Sequence, residues 1–201
     1  MAKSRKPKKK KTPLSPITAQ ECEDAAPHIS YELRAMVQAR DLNDYAKKQT
    51  DPKYADAVIV MRNCAIESFL MHYRTLREFF SSHPKLKADN LKAIDYLSTW
   101  QTSAGWVTDQ NEIERIHKRL AHLSTQRTWL DSNWDMAHME WSVSQTFEDF
   151  ILKLAPNQHA WFQATTDLIE QRKPTAAVVL GADSNSTASG GQPMMIFPPF
   201  Q

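Results

Sequence analysis

The chain has 201 residues, 41% hydrophobic and 24% charged, enough apolar content for one folded core. Only four glycines occur and residues 1–180 hold one of them, Gly105, which argues against sandwiches, barrels and doubly wound α/β folds and leaves no glycine-rich phosphate loop in the body. The net charge of +2 hides an asymmetry: residues 1–11 hold seven basic residues and no acid, and without them 18 basic residues face 23 acidic ones, a balance of −5 for residues 12–201.

Residues 1–27 contain Pro7, Pro13, Pro16 and Pro27 and the lysine run, the composition of a disordered basic arm. The body, 28–173, holds only Pro52, Pro84 and Pro156, so long helices are allowed between them. A first helix is expected over about 29–48, with Leu33, Met36, Val37 and Tyr45 as an imperfect apolar stripe. Asp51-Pro52 is a start signal, an N-cap followed by a residue that has no N–H to leave unpaired. The second helix runs from there to about Ser81, because Tyr54, Val58, Met61, Ala65, Phe69, His72, Leu76 and Phe79 recur every three or four residues. Pro84 ends it, and Asp89 is positioned to cap a short piece over 90–98.

A third main helix starts near Asp109, which has the capping-box spacing to Glu112, and continues through Ile113, Ile116, Leu120 and Leu123. Ser132 with Asp135 suggests a cap for a fourth helix over 133–155. Its apolar residues cover more than one side, as in a helix that is central or shared with a partner chain. Pro156-Asn157 opens a last helix containing Trp161, Leu168 and Ile169. Residues 174–201 read as a flexible low-complexity tail with Asp183 as their only charge. The tail ends in the apolar run Met194-Met-Ile-Phe-Pro-Pro-Phe200, which suits a docking peptide or a segment folded back on the bundle. The expected fold is all-α, an antiparallel bundle of four to five helices between flexible arms.

The densest polar cluster is Glu114-Arg-Ile-His-Lys-Arg-Leu-Ala-His-Leu123. Arg115 and His122 are seven residues apart, nearly two turns, and share a face with Arg119 between them. One titratable imidazole and two guanidinium groups can hold a phosphodiester and move a proton. The same pattern is also the solvated side of an amphipathic helix. On the second helix Asn63, Glu67 and Arg74 form a second polar line. Glu67 has apolar neighbours and so calls for a partner, for which Arg115, Arg119 or His122 are candidates; a pair that only sets helix register fits as well.

The stretch Asn63-Cys-Ala-Ile-Glu-Ser-Phe-Leu-Met-His-Tyr-Arg74, with Arg115-Ile-His-Lys-Arg-Leu-Ala-His-Leu-Ser124 after it, resembles uncharacterised bacterial helical proteins that are similar to the HEPN superfamily. The likeness covers roughly 31–155. HEPN proteins are helical bundles with an arginine and a histidine separated by four to six residues, and active members are metal-independent ribonucleases that dimerise, often toxins or phage-defence effectors. Arg115 to His122 has the longest of these spacings; the commoner four-residue spacing would put His117 first, and Ile116 follows the arginine where the family usually has a polar residue. The resemblance implies His122 as general acid or base, Arg115 and Arg119 on the phosphate and Glu67 orienting one of them. It also implies a homodimer, expected through the third or fourth helix, with RNA as partner and no cofactor. The other reading is a non-catalytic dimerisation or interaction module.

Other chemistries find less support. A di-iron bundle needs two Glu-x-x-His pairs and only Glu114 with His117 occurs; a zinc site would need His72, His117 or His122, and His138 to converge. Cys22, in the expected arm, and Cys64, in a helix, suggest a reducing compartment, and no run is apolar enough to span a bilayer or serve as a signal peptide, so a cytoplasmic protein is expected. The six tryptophans all follow residue 99 and are expected as core or interface anchors. Lys8, Lys9, Lys10 and Lys11 form a solubilising arm or a salt-sensitive contact to nucleic acid.

Overall fold

The computed structural model describes residues 17–81, 90–102, 115, 116, 120 and 134–173. Among these the chain is all-α, with no strand. The first helix, α1, spans Ala19–Lys47. Thr18 caps it: its hydroxyl accepts the Glu21 N–H at 3.2 Å, while its own N–H donates to the Glu21 carboxylate at 2.7 Å. This reciprocal box satisfies two amides that would otherwise be orphaned. The backbone bond from Thr18, helped by its side chain, holds the Glu21 carboxyl below the usual range.

The expected disordered arm therefore stops short of Pro27, and α1 begins at Ala19 instead of 29. Pro27 sits inside the helix on its exposed side, where its ring makes no demand on the core. The opposite side buries Cys22, Ala26 and Ile29. Cys22 is not in a loose stretch but is only 3% exposed, and its carbonyl accepts the Tyr96 hydroxyl at 2.7 Å.

A short turn leads to Asp51, whose carboxylate accepts the Lys53 N–H at 2.9 Å. A 3-10 turn, Pro52–Tyr54, then opens α2, Ala55–Phe80. The cap is the expected one. The expected buried stripe is right only in its second part: Ala65, Phe69, Leu76 and Phe79 are buried, His72, Met61 and Val58 half-buried, and Tyr54 exposed. The first ten residues of α2 therefore present most of their surface to solvent.

α2 ends at Phe80, whose carbonyl accepts Trp100 Nε1–H at 2.9 Å and the Thr102 hydroxyl at 2.7 Å. These side chains satisfy a carbonyl that the helix end leaves open; Pro84, the expected stop, lies outside the described residues. The short α3, Ala93–Tyr96, is held by the Asp95 carboxylate on the Lys92 N–H at 2.8 Å. Asp89, the cap expected there, is outside the described residues, as are Asp109 and Glu112. Residues 115, 116 and 120 are helical, with Ile116 buried in the core and Leu120 packed against it, as the third-helix stripe requires.

α4 spans Met136–Lys153, and its cap is Asp135, which accepts the His138 N–H at 3.0 Å; Ser132 lies outside the described residues. A 3-10 segment, Pro156–Phe162, leads into α5, Gln163–Arg172. The core is an aromatic knot. Phe150 of α4 meets Phe79, Phe80, Tyr96, Trp100 and Phe162 at ring-centroid distances of 5.4 to 5.8 Å, in edge-to-face orientations. Such contacts add about 0.5–1.5 kcal/mol per pair beyond area burial.

Two outcomes follow. A chain lacking residues 1–16 keeps the capping box, whereas one lacking 1–27 loses Cys22, Ala26 and the acceptor of Tyr96, at roughly 2–4 kcal/mol. Thermal unfolding should show the second about 5–10 °C below the first. Burial, with Cys22 and Asp95 adding to it, pushes the Tyr96 phenol well above the usual tyrosine range. The folded state thus favours the neutral phenol: the benefit is complete below the unfolded value near 10 and declines as pH rises above it. Denaturant curves at pH 7 and above pH 10 should show wild type losing stability that Tyr96→Phe does not.

Candidate functional site

The expected polar line on α2 forms, but its members sit differently. Asn63 is exposed, Glu67 half-buried among Ile66, Phe69 and Leu70, and Arg74 half-buried with its Nε donating to Glu78 at 3.1 Å. Arg74 thus belongs to a local i, i+4 pair. Of the expected catalytic helix only Arg115 is described; His122, Arg119, His117 and Glu114 lie outside the described residues.

Arg115 is half-buried, with its guanidinium 4.5 Å from the centroid of the Trp134 ring. The neighbouring Ile116 anchors its helix in the core, which gives a packing reason for an apolar residue in the place after the arginine. Among the described residues no ion pair is formed by Arg115, and its guanidinium lies over the indole face of Trp134. A guanidinium laid on a ring keeps its N–H edges in the plane available for an anion.

A second charged group was not foreseen. Glu140 of α4 is 4% exposed, on the inward side between Met139 and Val143. Arg172 of α5 donates to it through Nε at 3.0 Å and Nη2 at 3.3 Å, and Arg40 of α1 reaches it at 3.1 Å. The Arg172 Nη1 also donates to both oxygens of Asp41 at 2.9 Å. Burial opposes the Arg172 charge, and the two carboxylates outweigh it and raise its guanidinium above its ordinary range. Lys173, exposed, bridges Glu148 and Glu170 at 2.6 Å each, and these bonds raise its ammonium too. The sequence signal for this group was Glu140 itself, a carboxylate at a core position of the α4 repeat. Its partners on α1 and α5 are too distant in sequence to read.

Arg40, Ala137, Trp141, Ser144, Ile169 and Lys173 line a shallow cleft of about 100 Å³ over this network. Trp141 is 59% exposed and stacks on His138 with ring centroids 5.8 Å apart. Of the other described histidines, His72 Nδ1 lies 2.7 Å from Glu32, His159 Nε2 lies 3.2 Å from the Leu154 carbonyl, and His28 is exposed on α1. Among the described residues no three of His, Cys, Asp and Glu form a metal-binding group, and no helix is long and apolar enough to cross a membrane. No family model, curated protein or solved structure matches this chain.

The Glu140 network has a measurable weight. Glu140→Ala should destabilise by about 3–5 kcal/mol, since it leaves two arginines without their buried partner. Glu78→Ala, which breaks the exposed pair with Arg74, should change stability by less than about 1 kcal/mol. Chemical denaturation of both variants at neutral pH compares the two; similar losses would mean that Glu140 is solvated.

Proposed function

We propose that this chain is a HEPN-like, RNA-binding helical protein with metal-independent ribonuclease chemistry, working as a cytoplasmic homodimer in a toxin or defence system. The observation that carries the reading is Arg115: half-buried, with its guanidinium over the Trp134 ring at 4.5 Å from the centroid. A phosphate would accept paired N–H contacts from this guanidinium. His122, nearly two turns on, is on the same side of its helix by helical arithmetic and acts as general acid or base at a ribose 2′-hydroxyl; Arg119 assists on the phosphate. Asn63 and Glu67 contribute from α2, Glu67 by orienting an arginine. The thiols of Cys22 and Cys64 suit a reducing compartment.

The test is cleavage of single-stranded RNA in the presence of EDTA. Activity should persist, and His122→Ala should reduce it about 10²–10⁴-fold with helicity unchanged. His117→Ala should have little effect, because its position is about 140° around the helix from His122. Arg115→Ala should lose activity and Arg115→Lys should not restore it, since an ammonium cannot present a planar fork from the indole face. Equal rates for wild type and His122→Ala, or inhibition by EDTA, would sink the mechanism.

A second reading, a non-catalytic dimerisation or interaction module, draws on a different observation. Leu42 and Tyr45 near the end of α1, Tyr54 in the turn, and Ile59 and Val60 at the start of α2 are all exposed. Large exposed apolar residues concentrated at one end of a helical hairpin mark interaction surfaces. The excess girth of α4 reduces to Trp141 and Leu152 on its outer side, so the hairpin end is the stronger candidate for the dimer contact. Light scattering at micromolar concentration should give twice the chain mass, and Ile59→Lys with Val60→Glu should give the monomer. A monomeric wild type would remove this reading.

A further inference from the structure

Trp141 and Leu152 are the large apolar side chains of α4 that the bundle leaves exposed, and of the two Trp141 lines a cleft. The inward residues Met139, Val143, Phe147 and Phe150 are buried, while Trp141 turns its ring outward over a cleft floored by the Arg40–Glu140–Arg172 network. The ionic floor is internally neutralised, so what the cleft offers a ligand is the indole face backed by His138, with Ala137 and Ser144 beside it. An exposed aromatic platform in a shallow cleft suits an extended, proline-containing apolar peptide, since such peptides lose little entropy on docking and lay proline rings on aromatic faces.

The chain itself holds such a peptide, and its tether starts at the cleft. Lys173 is both a lining residue and the last described residue of the body. Twenty residues, 174–193, separate it from Met194-Met-Ile-Phe-Pro-Pro-Phe200. A coil of that length has a root-mean-square reach of about 25 Å, ample for a site at its own anchor. Tethering at that scale supplies an effective concentration on the order of millimolar, so a peptide of modest affinity suffices. The segment bears no charge and asks nothing of the neutralised floor.

We propose that residues 194–200 dock on the Trp141 cleft of the same chain, with Phe197 and the Pro198-Pro199 pair against the indole. The contact is independent of the ribonuclease reading. It makes the cleft a self-occupied site, which a partner would have to reach by displacing the chain's own segment.

Disulfide trapping in the full chain tests this. With the exposed Cys64 replaced by serine, Gln145→Cys at the cleft is combined with Gln201→Cys just beyond the segment. The reference pair is Arg62→Cys with Gln201→Cys, at an exposed position on α2. In dilute protein the cleft pair should form an intramolecular disulfide at least about tenfold faster than the reference pair. Adding Trp141→Ser or Phe197→Ser should bring it down to the reference rate. Trp141 is exposed, so Trp141→Ser leaves the described core intact, and circular dichroism of each variant checks that the fold is kept. Equal rates, a fast rate indifferent to Trp141→Ser, or a disulfide joining two chains would each overturn the proposal, the last by assigning the segment to a second copy.

Discussion

Phe150 is the point on which the bundle closes. Its ring meets Phe79 and Phe80 from the end of α2, Tyr96 from α3, Trp100 from the following turn and Phe162 from the 3-10 segment. Those elements come from four parts of the chain, and no two of them share a long helical contact that could position them separately. The packing also explains the hydrogen bonds around it. Trp100 can cap the Phe80 carbonyl only because its ring is held against Phe80 and Phe150, and Tyr96 can reach the Cys22 carbonyl only because its ring sits between Phe79 and Phe162. Hydrophobic burial sets the geometry, and the polar contacts then fix the orientation of α1 and the end of α2.

A second constraint acts at the other end of α4. Glu140 lies on the inward side of the helix, so its charge must be met inside the fold. Arg40 and Arg172 meet it and tie α1 and α5 to α4 in doing so. Replacing such a group by apolar residues is often neutral or stabilising, so net stability is a poor account of it; a buried, directional network selects one register of three helices. The consequence for the surface is geometric. With Glu140 inward, Trp141 is turned about 100° around the helix and faces out.

The legible parts of the sequence were those set by local rules. The Asp51-Pro52 start, the buried second part of α2, the inward side of α4 and the all-α class all follow from capping chemistry and a 3.6-residue period. Two kinds of feature were not legible. The first is how far a helix is covered: the apolar stripe of α2 continues through Tyr54 and Val58, yet burial there depends on whether another helix reaches so far. The second is pairing across the chain. Asp41 and Arg172 are 131 residues apart and nothing local announces their contact. Pro27 shows a further limit, since the cost of a proline on the exposed side of a helix can be carried by the packing of the opposite side, here Cys22, Ala26 and Ile29. For the candidate site, the type and spacing of Arg115 and His122 were readable, while the stacking of Arg115 on Trp134 depends on where α4 begins relative to the preceding helix.

Arg115 and Arg172, both half-buried, have different surroundings. Arg172 directs Nε, Nη1 and Nη2 to Glu140 and Asp41 and has both carboxylates within hydrogen-bond distance. An incoming phosphate there would meet two negative charges and would have to break bonds already made. Arg115 has lost part of its hydration and has an indole face in return. A cation–π contact is worth about 0.5–2 kcal/mol, less than a buried charge ordinarily requires. The same comparison explains why charge density alone misleads. The Glu140 cluster gathers Arg40, Arg172 and Lys173, but these pair with carboxylates within the fold, and beside them the cleft presents the uncharged ring of Trp141.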